Sequence, residues 1–237
     1  MRRYRAITFD MGSTLEHSSP PIYEVFDRVC RELGLKSTTE DVKKGMRAAW
    51  AHLGPRYAES NGKVEEKFWL EFDRVLLEKM GNDGDLDFLL QEMRKRLREL
   101  VDREKGEVKW YCPDEVHRLL SDLKQKGYIL GIVSNWDETL EAVCEKHGIK
   151  DYFNFILASR VVGAEKPNPV IFEMALTEAG ASTPEVAHVG DLYYADVVGA
   201  RRAGLTAVLL DPDRLFPGAD CLRIDRLEEV ISLLGLQ

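Results

Sequence analysis

Phe9-Asp10-Met11-Gly12-Ser13-Thr14-Leu15 lies near the start of this 237-residue sequence. Its first residue, Phe9, is also the last residue of the apolar run Ala6-Ile7-Thr8-Phe9. Such a run is typical of a strand, so the acidic residue and the glycine two positions later fall in the loop at its carboxyl end. Ligands of open α/β sheets bind at the carboxyl ends of the strands. Asp10 is therefore a candidate functional carboxylate.

Strand and helix patterns alternate along the second half of the chain. Amphipathic segments, most of which end at a glycine, separate short apolar runs at residues 128–133, 155–158, 186–189 and 206–210. This alternation predicts an α/β fold in which parallel strands are joined by helical crossovers. The first strand belongs to the same predicted sheet.

Residues 18–102 show a different pattern, because apolar side chains recur there every three or four residues in four successive segments. The sequence therefore predicts an all-helical segment inserted between the first strand and the rest of the sheet. We expect an α/β core of residues 1–17 plus 103–237 and a helical domain of residues 18–102. The candidate hinges are residues 17–21 and 102–113.

Polar residues follow the predicted strands at several separate points of the chain. These are Asp10, the pair Ser134-Asn135, Lys166 within Glu165-Lys166-Pro167-Asn168-Pro169, and Asp191 with Asp196. Each has an ordinary structural interpretation, because Asp and Ser often cap helices and turns and a lone Lys is usually solvated. Parallel strands end at one edge of a sheet, however, so we expect all of these residues to converge there.

The carboxylates of this group suit phosphoryl transfer. Asp10 can act as a nucleophile, and a carboxylate that attacks a phosphate dianion needs cations nearby. Mg²⁺ is suitable because it prefers oxygen ligands and can bridge a carboxylate and a phosphate. Asp191 and Asp196, five residues apart, fit one direct metal ligand and one partner that orients a ligand or water.

The remaining polar residues can assist. Lys166 can neutralise the nucleophile and the transferred group, and the rigid turn after it makes this lysine more specific than an isolated one. Ser134 and the amide of Asn135 can hold phosphate oxygens, although Ser134 could also cap a helix. Thr14 can hydrogen-bond within the nucleophile loop, and His188 is expected to be structural.

Composition excludes several classes of protein. The net charge of −8 argues against a nucleic-acid-binding surface, and no apolar stretch approaches the roughly 18 residues that suggest a membrane span. Asp10 interrupts the N-terminal apolar run before a signal peptide could form. Four widely spaced cysteines match neither a zinc site nor a disulfide framework. We therefore expect a cytoplasmic protein whose partner is a small phosphorylated substrate.

The motifs resemble those of the haloacid dehalogenase superfamily, and the resemblance covers almost the whole chain. It implies a doubly wound, Rossmann-like parallel sheet with an inserted helical C1 cap, at residues 18–102. By position, Asp10 matches the nucleophile, Ser134 the second-motif hydroxyl, Lys166 the third-motif cation, and Asp191 with Asp196 the fourth-motif acidic pair. The resemblance also implies an Mg²⁺-dependent phosphatase that acts on a small metabolite through an aspartyl-phosphate.

Gly12 departs from the family's first motif, Asp-x-Asp-x-Thr, in which the second Asp is the general acid and base. The residue at this position also binds Mg²⁺ through its backbone carbonyl, which Gly12 retains. The missing side chain is typically worth ~10² to 10⁴ in rate. Three outcomes stay open: substrates with good leaving groups, a replacement acid such as Glu16 or His17, or a protein that binds a phosphorylated ligand with little turnover.

A further alternative is cleavage of a C–P bond, which would need an amine from the cap such as Lys63 or Lys67. Cap residues are expected to select the substrate in either case. The candidates are Trp50, Arg56, Tyr57 and Trp69, of which Trp69 fits a helix core better.

Overall fold

The computed structural model describes residues 3–82 and 86–236. The strands in these ranges are β1 (Ala6–Phe9), β2 (His17–Ser19), β3 (Lys109–Tyr111), β4 (Ile129–Ser134), β5 (Phe155–Ala158), β6 (Val186–Gly190), β7 (Thr206–Leu210) and β8 (Leu222–Ile224). The α-helices are α1 (Ile22–Glu32), α2 (Thr39–Glu59), α3 (Glu66–Lys79), α4 (Leu86–Val101), α5 (Asp114–Gln125), α6 (Leu140–Lys146), α7 (Ser159–Val162), α8 (Pro169–Ala179), α9 (Val198–Arg202) and α10 (Glu229–Leu234). Within the described ranges, none of these helices combines the length and apolar character needed to cross a bilayer.

Six strands form one parallel sheet in the order β5-β4-β1-β6-β7-β8. β1 lies at the centre between β4 and β6, and all of its residues are buried. Ile7 and Phe9 pack in one apolar cluster with residues of α5 and α6, whereas Ala6 belongs to a second cluster that includes residues of α8. Helices thus cover both faces of the sheet, which confirms the predicted doubly wound α/β class.

Helices α1 to α4 lie between β2 and β3, in the part of the sequence with helical periodicity. α2 begins at a capping box, in which Asp41 N–H donates to Thr38 Oγ1 at 3.2 Å and Thr38 N–H donates to Asp41 Oδ2 at 3.0 Å. The Trp50 ring packs against that of Phe72 at a centroid distance of 4.9 Å. These aromatic contacts hold α2 and α3 together.

Two short strands form a ribbon that the sequence analysis did not predict. β2 and β3 pair antiparallel, with His17 opposite Tyr111 and Ser19 opposite Lys109. Each strand has only three residues, and neither contains a buried residue, so the alternation that identifies a half-buried strand is absent. The ribbon joins the two ends of the inserted helices at the predicted hinge segments.

The segment between β6 and β7 is not a regular α-helix over its whole length. A π-helical turn, Tyr193–Val197, precedes α9, and Asp196 N–H donates to Leu192 O at 2.8 Å. Such wide turns occur often at functional sites. This turn brings Asp196 back against the end of β6, beside Gly190.

Candidate active site

Asp10 lies at the point where the central strand β1 ends. Its backbone N–H donates to Val189 O on β6 at 2.9 Å, so the sheet fixes the start of the loop. The Asp10 side chain is 13% exposed and lines a cavity of about 310 Å³. Ser134, at the end of β4, lines the same cavity. Both residues therefore lie at the carboxyl edge of the sheet, as expected from their places after strands.

Lys166 links two of the carboxylates. Its ammonium Nζ lies 2.6 Å from Asp10 Oδ1 and 2.6 Å from Asp196 Oδ1, and its side chain is 2% exposed. Burial acts to lower the pKa of Lys166, but the two carboxylates raise it above the ordinary value. Lys166 is therefore positively charged at neutral pH, directly beside the candidate nucleophile.

Two other parts of the chain hold the backbone of Lys166. The side chain of Asn135, after β4, accepts from Lys166 N–H at 2.7 Å and donates to Lys166 O at 3.0 Å. Tyr57, on α2, donates its hydroxyl to the same carbonyl at 3.2 Å. Burial raises the pKa of Tyr57 to about 12, so this donor keeps its proton at neutral pH. Asn135 thus positions Lys166, a role in addition to the expected phosphate contact.

Asp196 is buried, and both of its carboxylate oxygens have partners. Oδ1 contacts Lys166 and lies 3.1 Å from His188 Nε2, while Oδ2 accepts from Leu192 N–H at 2.9 Å. His188 Nδ1 lies 2.9 Å from Thr8 Oγ1, which anchors the ring to β1. Burial acts to raise the pKa of Asp196, but Lys166 and His188 bring it below its ordinary range. Asp196 is therefore an anion whose position fixes that of the Lys166 ammonium.

Asp191 completes an acidic cluster at this edge. One carboxylate oxygen each of Asp10, Asp191 and Asp196 lies within 4.8 Å of the others. Burial, together with the charges of Asp10 and Asp196, raises the pKa of Asp191 well above its ordinary value. Thr14 Oγ1 donates to Asp191 Oδ1 at 3.4 Å, and Gly12 lines the same cavity. Crowded oxygen donors of this kind fit Mg²⁺, because a hard cation would relieve their mutual repulsion.

Residues of the inserted helices and of the α/β core both line the cavity. The inserted helices and the core supply a largely apolar wall, made up of Ile22, Tyr23, Met46, Trp50, Trp136, Leu192, Ala195, Leu215 and Phe216. The polar end of the cavity is the edge of the sheet with the acidic cluster and Lys166. A bound molecule would therefore meet charge at one end and aromatic or aliphatic side chains elsewhere.

Glu16 is fully buried and is held by two basic side chains. Arg103 forms a bidentate pair with it, with N–O distances of 2.7 and 2.5 Å, and His147 Nε2 lies 2.6 Å from Glu16 Oε1. Burial acts to raise the pKa of Glu16, but Arg103 and His147 lower it below the ordinary value. An ionised carboxylate with these partners has no proton to give, so the structure does not support Glu16 as a replacement acid.

His17 is the other residue that the sequence offered as an acid. It lines a neighbouring cavity of about 350 Å³ rather than the one that Asp10 lines, and the two cavities share Ile22, Tyr23, Asp191 and Leu215. Burial lowers the pKa of His17, so its ring is neutral at pH 7. His17 is therefore poorly suited to protonate a leaving group.

The residues that the sequence suggested for substrate selection lie in different parts of the structure. Trp50 lines the cavity, and Tyr57 contacts the Lys166 carbonyl instead of the cavity. The Trp69 ring packs against those of Trp50 and Phe68, so it belongs to the aromatic core of the inserted helices. Among these three candidates, Trp50 is the one in a position to touch a ligand beside Asp10.

Three basic candidates lie elsewhere. Arg56 forms an ion pair with Glu71 at 2.5 Å, and Arg56, Lys63 and Lys67 line a separate cavity of about 480 Å³. None of the three lines the cavity beside Asp10. In this arrangement neither lysine supplies the amine that C–P cleavage would need.

Several residues of the site carry no signal in the sequence. Tyr23, Met46 and Phe216 have the apolar character of any core position, and their place in the cavity wall depends on how α1 and α2 pack on the core. His188, which was expected to be structural, is buried and contacts Asp196. Its position inside the apolar strand β6 is the one signal that could have marked it, because a buried polar group needs a partner.

A family model described as haloacid dehalogenase-like hydrolase matches residues 4–204. The human haloacid dehalogenase-like hydrolase domain-containing protein 3 is 30% identical over 217 residues, which span 90% of this chain and 84% of that protein. A glyceraldehyde 3-phosphate phosphatase from Methanothermobacter thermautotrophicus is 37% identical over 100 residues, or 40% of this chain and 42% of that protein.

The fold is also found among solved structures. The HAD-hydrolase YfnB from Bacillus subtilis, whose crystal structure is described as bound to magnesium, has a TM-score of 0.61 and 24% identity and covers 99% of this chain and 100% of its own. The family match spans most of the chain, and the human relative is similar over nearly all of it. The resemblance drawn from the motifs is therefore confirmed, and the chain belongs to the haloacid dehalogenase-like hydrolases.

Proposed function

We propose that this chain is an Mg²⁺-dependent phosphatase that acts on a small phosphorylated metabolite through an aspartyl-phosphate at Asp10. The observation that carries the proposal is the position of Lys166 Nζ, 2.6 Å from Asp10 and 2.6 Å from Asp196, beside Asp191 at the charged end of the cavity. The phosphatase among the relatives supports the same reaction class.

In the first step, the Asp10 carboxylate attacks phosphorus and the bond from phosphorus to the leaving-group oxygen breaks, with its electron pair moving to that oxygen. Lys166 offsets the repulsion between the nucleophile and the phosphate dianion. Ser134 and the backbone N–H of Asn135 lie at the end of β4, where they can bind non-bridging oxygens. Water then attacks phosphorus, and the bond between phosphorus and the Asp10 oxygen breaks. Inorganic phosphate leaves, the proton of the water passes to solvent, and the Asp10 carboxylate is restored.

The metal site would consist of Asp10, Asp191 and the Gly12 carbonyl, with Asp196 as the partner that completes the acidic cluster. When bound, Mg²⁺ would supply positive charge to the phosphate oxygens. Thr14 would orient Asp191, to which it already donates a hydrogen bond. Asp196 would act mainly through Lys166, because both of its oxygens already have protein partners.

We further propose that residues 18–102 act as a cap on a core of residues 1–17 and 103–237. The cavity wall supports this division, because Met46 and Trp50 of α2 face the acidic cluster across it. Closure would exclude water while the phosphoryl group is transferred.

The decisive experiment measures phosphate release from acetyl phosphate with Mg²⁺ and with EDTA. We expect activity with Mg²⁺, loss in EDTA, and loss in Asp10→Asn with an unchanged circular dichroism spectrum. Asp151→Asn, at an exposed position, is the matched control and should behave as wild type. Retention of more than a few per cent of kcat in Asp10→Asn would contradict the nucleophile assignment.

A second candidate is a protein that binds a phosphorylated ligand with little turnover, and Gly12 is the observation that favours it. In that case methylphosphonate would bind in the presence of Mg²⁺ while no phosphate is released from any substrate. Calorimetric titration with methylphosphonate, run beside the release assay, separates the two functions.

A further inference from the structure

The wall of the cavity beside Asp10 has a chemistry that limits the rest of the substrate. Tyr23, Met46, Trp50, Trp136 and Phe216 all line it. The ring centroids of Trp50 and Phe216 lie 6.2 Å apart, so aromatic surface from α2 and from the core meets on one side of the cavity. A substrate that places its phosphoryl group at Asp10 must place the remainder against this surface.

The distribution of charge around the cavity also favours an uncharged group next to the apolar wall. Among the described residues that line it, Lys166 is the only cation, and its ammonium is bonded to Asp10 and Asp196. A second anionic group of a substrate would thus find no lysine or arginine in the cavity wall.

Two further cations contact wall residues, and each already has an anionic partner. Arg103 lies 4.5 Å from the Trp136 ring and forms a bidentate pair with Glu16. Lys43 lies 5.3 Å from the Tyr23 ring, and its Nζ is 2.6 Å from Asp213. Neither lines the cavity beside Asp10. Lys43 lines the neighbouring cavity, where Asp213 neutralises its charge.

The position of Gly12 extends the apolar surface towards the reacting oxygen. A Cβ at this residue would have Trp136 as its nearest neighbour, with Cζ3 at 3.9 Å. The place where a side chain at residue 12 would begin is therefore bordered by an indole ring and holds no charged group of its own.

We infer that the leaving group of the substrate is uncharged and carries an aromatic or similarly bulky apolar group. This inference rests on the proposed phosphatase function and names the class of its substrate. The phosphoryl end binds at Asp10 and Lys166, and the apolar end packs against Trp50, Trp136 and Phe216. Bisphosphates and phosphorylated carboxylic acids are poor substrates, because their second anion has no partner in the wall.

The test compares substrates that differ in one property. Benzoyl phosphate and acetyl phosphate have leaving groups of similar acidity, so the ring is the main difference between them. We expect kcat/KM for benzoyl phosphate to exceed that for acetyl phosphate by about tenfold or more, from the apolar area that the ring buries. Phenyl phosphate should exceed 4-carboxyphenyl phosphate by about the same factor, because of the added charge.

A binding measurement without turnover accompanies these rates. In the presence of Mg²⁺, phenylphosphonate should bind at least about tenfold more tightly than methylphosphonate by calorimetry. The intrinsic fluorescence should change with phenylphosphonate, because Trp50 and Trp136 line the cavity.

A positive charge placed in the wall of the cavity beside Asp10 should change the substrate preference. Met46→Lys is expected to reduce the ratio of benzoyl to acetyl phosphate and to favour 4-carboxyphenyl over phenyl phosphate. Ala51→Lys adds the same charge to an exposed position of the same helix and should leave both ratios unchanged. Met46→Gln, an uncharged polar change, replaces Met46→Lys if that variant does not fold, and it should also lower the benzoyl preference.

The outcomes separate this inference from the proposed function. Binding of phenylphosphonate in preference to methylphosphonate without phosphate release would contradict the phosphatase and support the cavity assignment. Phosphate release from both substrates with equal kcat/KM for benzoyl and acetyl phosphate would overturn the inference and leave the phosphatase intact. A preference for anionic substrates, or for a cationic one such as phosphocholine, would also overturn it.

Discussion

At the scale of single residues, the geometry around Lys166 depends on a glycine that lies outside the cavity. A Cβ on Gly190 would lie 2.2 Å from Asp196 Cγ, a distance at which one of the two must move. Asp196 is one of the two carboxylates that fix the Lys166 ammonium. Gly190 is therefore required by the packing of a charged side chain against the end of β6.

Gly190→Ala should displace the Asp196 carboxylate and with it Lys166. We expect phosphate release to fall by about 10²-fold, the typical effect of moving a reacting group by an ångström. Gly218→Ala is the control, because a Cβ there meets no atom within 4 Å. Equal activity of the two variants would show that Asp196 does not position Lys166.

Gly12→Asp tests the missing general acid. A Cβ at this residue makes only an ordinary contact, at 3.9 Å from Trp136, so the loop can accept a side chain. We expect hydrolysis of benzyl phosphate, an alkyl ester, to rise by about 10²-fold or more. The value of kcat/KM for acetyl phosphate, which reports the attack by Asp10, should change little because that leaving group needs no proton.

Gly12→Ala is the matched control for the volume of the added side chain. It should not raise the rate for benzyl phosphate. If both variants gain equally, or neither gains, another group protonates the leaving oxygen.

At the scale of elements, α2 is the helix through which the inserted segment contacts Lys166. A Cβ on Gly54 would lie 2.0 Å from Cε2 of Tyr194, in the π-helical turn after β6. Tyr57, three residues along α2, donates to Lys166 O, and Arg202 of α9 donates to Ala58 O at 2.6 Å. The close approach at Gly54 sets the distance at which these polar contacts form.

Gly54→Ala should therefore move α2 away from the core although alanine is the better helix former, by about 1 kcal/mol. We expect kcat/KM to fall by about tenfold or more as the contact of Tyr57 with Lys166 is lost, and the radius of gyration in scattering to increase. Tyr194→Ala in the same chain removes the clash and should restore part of the activity. No recovery in the double variant would place the defect elsewhere.

Asp73 of α3 lies near Arg94 of α4, and its contribution to the free energy of unfolding depends on pH. Burial raises the pKa of Asp73 to about 6, and Arg94, with Nη1 3.6 Å away, opposes this only in part. Between the ordinary pKa and about 6, the folded chain binds a proton that the unfolded chain has lost. The contribution of Asp73 to the free energy of unfolding therefore falls as the pH rises through this window.

Relative to Asp73→Asn, the wild type should lose roughly 2 to 3 kcal/mol between pH 4 and pH 7, because each tenfold difference in proton affinity between the folded and unfolded chains is worth about 1.4 kcal/mol. Urea unfolding at several pH values measures the gap. Asp151→Asn, at an exposed position, is the control. A gap for Asp73→Asn that does not change with pH would contradict the raised pKa.

At the scale of the whole molecule, the sequence predicted the features that follow from the order of strands and helices along the chain. It did not predict the contacts that form only when distant segments pack together. The parallel sheet could be predicted because buried strands alternate with helices, and Asp10 and Asp191 could be placed at its edge because each follows a strand directly. The ribbon of β2 and β3 could not, because short polar strands carry no periodicity. Tyr57 was named only as a cap residue, since its contact with Lys166 joins positions 109 residues apart.

The glycine at position 12 has a further consequence, for the second half of the reaction. In the proposed cycle, a phosphoryl group on Asp10 lies in a cavity that α2 helps to line, and no carboxylate at residue 12 is present to activate the water that must remove it. Loading from an acyl phosphate would then be faster than discharge, so most copies of the chain would be phosphorylated whenever a donor is abundant.

The phosphorylated protein would then hold an activated phosphoryl group for a time set by the rate of discharge. Intact-protein mass spectrometry during turnover of benzoyl phosphate should show one added phosphoryl group on most chains, and benzoate should appear in an initial burst of about one equivalent. Gly12→Asp should shrink both signals, because discharge no longer limits the cycle. Linear benzoate release from the first turnover, with unmodified protein, would mean that discharge is fast without a carboxylate at this residue.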